Sequence, residues 1–232
     1  MPDALLLVGR DRFSDPWHDF VATGACVARE LSDLGATVTW RSTFPETFHG
    51  LERPDIVVVL AGRRSPARDE ANEPDGAQWR GFHDKLADFV AAGTALLALH
   101  SAANTFGDSP HWERLIGGRW VEGTSMHPPI GDAVFDPIGS HQIISGVGAV
   151  YAFDEQYLGL DVAPSSQPFL SVRQDDAVHI VSWVANPPGG KGRVVYDGLG
   201  HDTRSYKSTE RVALLRSEIK WLLAAGLAPG IN

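Results

Sequence analysis

Four of the nine histidines stand where an apolar run ends or in the loop that follows one, positions from which side chains can reach a common site. His100 closes the run TALLALH, His201 closes GRVVYDGLGH, His18 follows the first apolar run, and His127 lies in the proline-flanked segment GTSMHPP. Imidazole titrates near neutral pH, so these residues could transfer protons, and its neutral nitrogens can also bind metal ions. We therefore take these four histidines as candidate site residues.

A pair of carboxylates lies in the acidic-aromatic run AFDEQY, in a part of the chain that must return over the same edge of the fold. Asp154 or Glu155 could fix the tautomer of a histidine and raise its pKa, as general acid–base catalysis needs. The same residues could instead bind a divalent metal, zinc or manganese. The sequence contains no HExxH motif or other close ligand pair, so both chemistries stay open. The other histidines are interpreted as structural or solvated: His49, His83, His111, His141 and His179.

A third chemistry is nucleophilic. Ser101 directly follows the run TALLALH, and the order Ser101, Glu155, His201 is that of the triad in α/β-hydrolases. The turn that carries such a serine requires small residues two positions before and after it, and Leu99 occupies the first of these positions. The hydrolase motif is therefore incomplete. The glycine-rich runs GRDRF and PPGGKGR lack the spacing of nucleotide-binding loops.

The elements that must position these residues alternate between short apolar runs and longer amphipathic stretches, the pattern of βαβ units. The patterns predict strands at residues 4–9, 36–40, 55–60, 94–100 and 192–201, and helices at residues 15–35, 76–93 and 208–226. After about residue 105, short β-prone pieces between turns indicate an irregular β insertion. We predict an α/β fold with a doubly wound, mostly parallel sheet and a small β insertion. Ligands of such sheets bind beyond the carboxyl ends of the strands, where the candidate histidines lie.

Composition limits the classes of protein that the chain can represent. With 232 residues, 43% of them apolar, we expect one domain over residues 1–232. A net charge of -9 argues against a nucleic-acid partner. The apolar run near the N-terminus is too short for a signal peptide and no run is long enough for a membrane span, so we expect a cytoplasmic protein. Cys26 is the only cysteine, which excludes an intrachain disulfide, and its helical setting predicts a buried thiol.

Five segments occur in an order that resembles the ThuA-like family, which is named for trehalose utilisation. They are LLALHSAANTF, LIGGRW, SMHPP, FDEQYL and KGRVVYDGLGHDTRSY. The resemblance runs from the first strand to the last helix and implies a flavodoxin-like fold, similar to that of class I glutamine amidotransferases. The family often has Gly-His-Pro before the insertion, where this chain has Met126 in place of the glycine.

The resemblance also implies a set of site residues. The turn Leu99-His100-Ser101 stands where an amidotransferase carries its nucleophilic cysteine, so hydrolysis of glutamine through a thiolate is excluded here. His127 with its proline, Asp154-Glu155 with Tyr157, and the Leu-Gly-His that ends in residue 201 match the other family elements. The family's His-Asp after the first strand matches His18-Asp19. We predict that His100, His201, His127 and Glu155 are catalytic, with Ser101 added in the hydrolase alternative, and that His18, Asp19, Tyr157 and Asp202 bind the substrate.

The function that the resemblance implies is sugar catabolism, on oxidised 3-keto forms of disaccharides or related glycosides. A 3-keto sugar has acidic protons beside its carbonyl, and a cluster of histidines with a carboxylate, with or without a metal, is suited to remove one. The partner is then a small-molecule sugar, and an exposed sheet edge or the insertion could support a homodimer. Two alternatives stay open: a non-catalytic sugar-binding or regulatory protein on the same scaffold, and a hydrolase that uses Ser101.

Overall fold

A nine-stranded mixed sheet forms the centre of the protein. The computed structural model describes residues 1–63, 74–187 and 189–224. The strands are β1 (Asp3–Val8), β2 (Thr37–Ser42), β3 (Ile56–Leu60), β4 (Ala95–Leu99), β5 (Gly118–Arg119), β6 (Gly131–Pro137), β7 (Val150–Asp154), β8 (Asp161–Val162), β9 (Gln167–Gln174), β10 (Ala177–Ala185) and β11 (Val194–Asp197). The α-helices are α1 (Phe20–Asp33), α2 (Gly76–Ala91), α3 (Trp112–Ile116) and α4 (Thr209–Leu223).

The order of the strands divides the sheet into a parallel half and an antiparallel half. The order is β2-β1-β3-β4-β11-β10-β9-β6-β7. The first five strands are parallel and follow the 2-1-3-4-5 order of flavodoxin-like sheets. The last four strands pair antiparallel. The predicted α/β fold, with its doubly wound sheet of the flavodoxin and amidotransferase type, is confirmed.

Each face of the parallel half is covered by helices. Because successive residues of a strand point to opposite faces, Leu6 of β1 packs in the cluster that contains Val27 of α1 and Leu215 of α4. Leu5 packs on the other face, in the cluster that contains Phe82 of α2. The predicted apolar stripe of α2 is confirmed as buried: Trp79, Phe82, Leu86, Phe89 and Val90. The helices cover the two faces of the sheet, so a ligand site would lie at the carboxyl ends of the parallel strands.

The helices begin and end near the predicted positions, with one informative exception. The helix predicted to begin near Asp15 begins instead at Phe20, because the Asp19 carboxylate accepts the backbone N–H of Ala22 at 2.9 Å and caps α1. Cys26 of α1 is half-buried rather than fully buried. The predicted end of the last helix, at 225–226, lies outside the described residues. Among the described helices, none is long and apolar enough to cross a membrane.

The β insertion is larger and more regular than the sequence predicts. Strands β6, β7, β9 and β10 extend the main sheet, and only β5 and β8 form a separate two-stranded sheet among the described residues. Strand β6 alternates between exposed and buried residues, as expected for a strand with one face towards solvent. Each of the four added strands pairs with neighbours on both sides except β7, which lies at the edge.

A buried ion pair supports the turn that follows β11. Arg211 of α4 and Asp197 are both fully buried, and their side chains meet at 2.7 Å. Asp197 also accepts hydrogen bonds from the hydroxyl of Ser182 at 3.0 Å and from the backbone N–H of Leu199 at 3.1 Å. Beside this pair, burial and the Asp197 carboxylate raise the pKa of Glu218 well above its usual value, although Arg211 opposes them. Burial therefore favours the neutral acid form of Glu218 in the folded protein.

The ion pair predicts that two isosteric substitutions will lower the free energy of unfolding by different amounts. Asp197→Asn leaves the Arg211 charge buried without its counterion, and we expect it to lower the free energy of unfolding by about 3–5 kcal/mol. Glu218→Gln replaces an acid whose neutral form is favoured by burial with a neutral amide of similar volume, and we expect a loss below about 1.5 kcal/mol. Equilibrium unfolding in urea at pH 7 measures both. Equal losses in the two variants would instead place the counter charge of Arg211 on Glu218.

Candidate functional site

The candidate site is a cavity of about 500 Å³ beyond the carboxyl ends of the parallel strands. His18 comes from the loop after β1, and His201 comes from the turn after β11. Glu155 directly follows β7, and His127 precedes β6, so the antiparallel half of the sheet also contributes. The predicted site residues that line the cavity are His18, Ser101, His127, Glu155, Tyr157 and His201.

The Glu155 carboxylate lies at the centre of the site. One of its oxygens, Oε2, is 3.3 Å from Nε2 of His100. The other, Oε1, is 3.3 Å from Nδ1 of His201 and 3.5 Å from Nδ1 of His127. Three histidines from separate parts of the chain therefore share one carboxylate.

His100 occupies a strained turn between β4 and the short helix that follows. Its φ is +48°, in the left-handed region that non-glycine residues seldom adopt. The carbonyl oxygen of Gly198 accepts a hydrogen bond from Nδ1 at 2.8 Å, so Nδ1 carries the hydrogen and Nε2 faces Glu155, behind the residues that line the cavity. There Nε2 lies 3.0 Å from the Tyr157 hydroxyl as well as near Glu155. This turn, which we call the elbow, thus directs the imidazole of His100 towards Glu155 and Tyr157.

Ser101 does not take the place that a hydrolase would require. The strained residue of the turn is His100, one position earlier. The Ser101 hydroxyl donates its hydrogen bond to the carbonyl oxygen of Ala61 at 3.0 Å. No hydrogen bond between Ser101 and a histidine is found in the described part of the chain. The geometry therefore gives the predicted triad of Ser101, Glu155 and His201 no support.

His18 is held by a carboxylate that the sequence analysis assigned to a helix start. The ring atom Nδ1 lies 2.7 and 2.9 Å from the two carboxylate oxygens of Asp15. The same carboxylate accepts the backbone N–H groups of Trp17 and His18, both at 3.0 Å. Nε2 of His18 is buried and has no hydrogen-bond partner. Asp15 therefore fixes the ring so that its free nitrogen faces the cluster, where the rings of His100 and His201 lie 5.0 and 4.6 Å away.

The turn that carries His201 is fixed by Asp154. This fully buried carboxylate accepts the backbone N–H of Gly200 at 2.8 Å and that of His201 at 3.1 Å. It also accepts the hydroxyl of Ser205. Gly200 has a φ of +113°, and a Cβ atom there would lie 2.5 Å from the Tyr206 hydroxyl, so no other residue fits without a shift. The turn is therefore specified by the Leu-Gly-His sequence.

The burial of these groups alters their charge states. Burial favours the neutral form of the Glu155 acid, but hydrogen bonds and positive charge from His100 and His201 outweigh it and hold its pKa well below the usual value. Burial lowers the pKa of His18 by more than Asp15 raises it. Burial also acts to lower the pKa of His100, but the hydrogen bond to Glu155 and the nearby carboxylates raise it overall. His18 is thus a neutral imidazole beside an ionised Glu155.

Three aromatic side chains, Trp17, Trp120 and Tyr157, line the cavity. Trp17 is 65% exposed at its mouth. Trp120 packs edge-on against Tyr157, with 4.9 Å between ring centroids. Across the mouth, Arg63 and Glu122 form an ion pair at 3.4 Å. The cavity therefore combines apolar ring faces with polar groups at its rim.

The structure brings most of the predicted residues together and leaves two apart. Asp19 caps α1, and the Asp202 carboxylate binds Arg204, so neither is among the described residues that line the cavity. Asp15 was not among the predicted site residues, and its position three residues before His18 was the available signal. The carbonyl oxygen of Gly198, which orients His100, was not predicted either, because no side-chain pattern indicates a backbone acceptor.

The fold and the site define an α/β protein of the amidotransferase-like type that carries a histidine on its elbow. The ThuA family, described as trehalose utilisation, matches residues 14–222. The chain therefore belongs to the ThuA family, as the sequence resemblance indicated. No curated protein sequence gives a significant match.

Solved structures show the same fold. The chain is similar to a ThuA-like protein from Parabacteroides merdae, with a TM-score of 0.71 and 15% identity over 100% of this chain and 92% of that one. A ThuA-like protein from Bacteroides uniformis gives 0.70 and 14%, over 95% and 90% of the two chains. A cytoplasmic protein from Salmonella typhimurium gives 0.62 and 9%, over 96% and 99%. At these identities the likeness extends to the fold alone.

The strain at the elbow predicts an inverted order of stability between glycine and alanine. At residue 100 both substitutions remove the ring, but only glycine adopts a φ of +48° without a steric cost. We expect His100→Gly to be more stable than His100→Ala by roughly 0.5–1 kcal/mol. Ala98, a buried residue of β4, is the control, because there Ala98→Gly should be less stable than the parent. Urea unfolding measures all three, and a glycine variant that is weaker at both positions would contradict strain at the elbow.

Proposed function

We propose that the protein is an enzyme of carbohydrate catabolism that performs acid–base chemistry on a small sugar in the cavity beyond the parallel strands. The observation that carries the proposal is the Glu155 carboxylate, shared by His100, His127 and His201 within 3.5 Å. Membership of the ThuA family supports the link to sugars. The chemistry and the substrate class are our own inference from the site.

The walls of the cavity fit a sugar. A volume of about 500 Å³ lies within the range of sites for small molecules. The faces of Trp17 and Trp120 offer apolar surface for the C–H groups of a pyranose ring. Arg63, Asn104 and Glu122 offer donors and acceptors for hydroxyl groups around it. This division between ring faces and polar groups is suited to a ligand with apolar faces and a polar rim.

The substrate that suits the acid–base cluster carries a carbonyl group, such as a 3-keto glycoside. Its C–H bond beside the carbonyl is acidic: the proton passes to a base, and the electron pair forms an enolate whose charge rests on oxygen. His127 is placed for this transfer, because its side chain is 38% exposed at the cavity while it still contacts Glu155. Donors that line the cavity, such as the side-chain amide of Asn104, would stabilise the enolate oxygen.

Isotope exchange tests this chemistry without knowledge of the final product. A 3-keto disaccharide is incubated with the protein in D₂O, and loss of the proton beside the carbonyl is followed by NMR. We expect His127→Ala to slow the exchange by about 100-fold or more. The control is His49→Ala, which removes an exposed histidine outside the cavity and should exchange as the wild type does.

Two outcomes would contradict the proposal. Exchange no faster than in protein-free buffer, together with saturable binding of the sugar, would identify a binding protein. Exchange that is unchanged in His127→Ala and in Glu155→Gln would place the proton transfer outside this cluster.

The exposed ring of Trp17 predicts a separate effect on binding. Trp17→Ala removes a stacking face at the mouth and leaves the cluster intact, so KM should rise while kcat stays within twofold. A loss of about 0.5–1.5 kcal/mol corresponds to a KM that is roughly 2–12-fold higher. Trp40→Ala is the control, because Trp40 is also exposed but lies on β2, away from the cavity. Equal KM values for the two variants would remove Trp17 from the sugar site.

A further inference from the structure

Nε2 of His18 is a buried polar atom that the described protein leaves without a partner. The side chain is nine-tenths buried, and its other nitrogen is fixed by both carboxylate oxygens of Asp15. A carboxylate that takes the hydrogen of one ring nitrogen leaves the second nitrogen with a free electron pair directed away from it. This arrangement of carboxylate, histidine and open nitrogen is typical of histidines that bind metal ions.

His100 is oriented by its Nδ1 in a similar way. Its Nε2, unlike that of His18, already lies 3.0 Å from the Tyr157 hydroxyl and 3.3 Å from Glu155, contacts that a bound ion would replace. The carbonyl oxygen of Gly198 accepts the hydrogen of Nδ1 at 2.8 Å, so Nε2 is again the nitrogen that is directed towards the cluster. Metal-binding histidines are commonly oriented by a backbone carbonyl in this way. Two histidines from different strand ends thus present the same ring atom, each fixed from behind, towards the same space.

Glu155 and His201 complete a set of four donors. One ligand atom from each of His18, His100, Glu155 and His201 lies within 4.8 Å of the others. Zinc binds histidine nitrogens at about 2.0–2.1 Å in a tetrahedral shell, in which the ligand atoms are about 3.4 Å apart. The most widely separated of the four donor atoms would therefore need to approach one another by about 1.4 Å around an ion.

We propose that His18, His100, His201 and Glu155 bind one divalent transition-metal ion at the floor of the cavity. Three imidazole nitrogens and one carboxylate oxygen favour zinc or manganese over magnesium and calcium, which prefer oxygen ligands. The ionised Glu155 supplies the negative charge that a buried cation needs. Such an ion would supply positive charge to a carbonyl or hydroxyl oxygen of a bound ligand.

The metal site leaves the proton-transfer group of the proposed function free. His127 is outside the set of four donors and lies at the exposed side of Glu155. The inference goes beyond the proposed function and stands without it, because it uses only the orientation and burial of the donors. Its test therefore contains no sugar.

Metal binding is measured on untagged protein that has first been treated with a chelator and dialysed. Titration with zinc chloride or manganese chloride by calorimetry, and mass spectrometry of the metal content, should each give one ion per chain. His18→Ala and Glu155→Gln should lose this binding, and Asp15→Asn should weaken it by about 10–100-fold, because Asp15 acts through the orientation of His18.

The matched control is His111→Ala. His111 also has a ring nitrogen beside an aspartate, at 2.8 Å from Asp84, but it lies outside the cluster of four donors. Urea unfolding shows which variants are folded, and His18→Gln replaces His18→Ala if the latter is not. Wild-type protein that binds less than half an equivalent, or a folded His18 variant that binds as tightly as His111→Ala, would overturn the metal site. Metal binding without proton exchange on a keto sugar would overturn only the proposed function.

Discussion

Two successive buried carboxylates, Asp154 and Glu155, are the constraint on which the site depends. Asp154 is fully buried and Glu155 is 8% exposed, so each needs partners to offset its loss of water. Neighbouring side chains of an extended segment point to opposite sides, so the pair can serve two structures. Asp154 binds the backbone of Gly200 and His201, and Glu155 faces the imidazoles. The first carboxylate fixes the turn, and the second engages the side chain that the turn presents.

The antiparallel half of the sheet supplies that carboxylate from an unexpected place. Strand β7 is the edge strand, four positions from β11, yet the chain that leaves it runs back across the carboxyl ends of the parallel strands. There Leu158 forms an antiparallel bridge with Met126, with N–O distances of 2.8 and 3.1 Å. The bridge joins the segment of Glu155 to that of His127. The parallel half alone would supply His18, His100 and His201 but not the Glu155 carboxylate, which contacts His100 and His201.

The parallel strands and most of the histidines could be predicted because their signals are local. Apolar runs that end in His100 and His201 mark strand ends, and strand ends of parallel sheets share an edge. Asp15 could not be recognised as a site residue, because an aspartate followed by proline also indicates the start of a helix. Asp19 and Asp202 were assigned by resemblance, whereas in the fold they satisfy local partners. The size and regularity of the β insertion were underestimated, because its strands pair with partners that are distant in the sequence.

The elbow shows how the side chain at one turn decides what the fold presents there. A thiol has one reactive atom, whereas an imidazole has two nitrogens on opposite sides of its ring. At residue 100 one nitrogen is anchored to the carbonyl oxygen of Gly198, and the strained backbone is held by the Tyr196 hydroxyl, which donates to the carbonyl oxygen of His100 at 2.8 Å. The other nitrogen is thereby fixed beside the Glu155 carboxylate. The turn that positions a nucleophile in an amidotransferase therefore positions a nitrogen donor here, and the chemistry follows from the side chain and its partners rather than from the sheet.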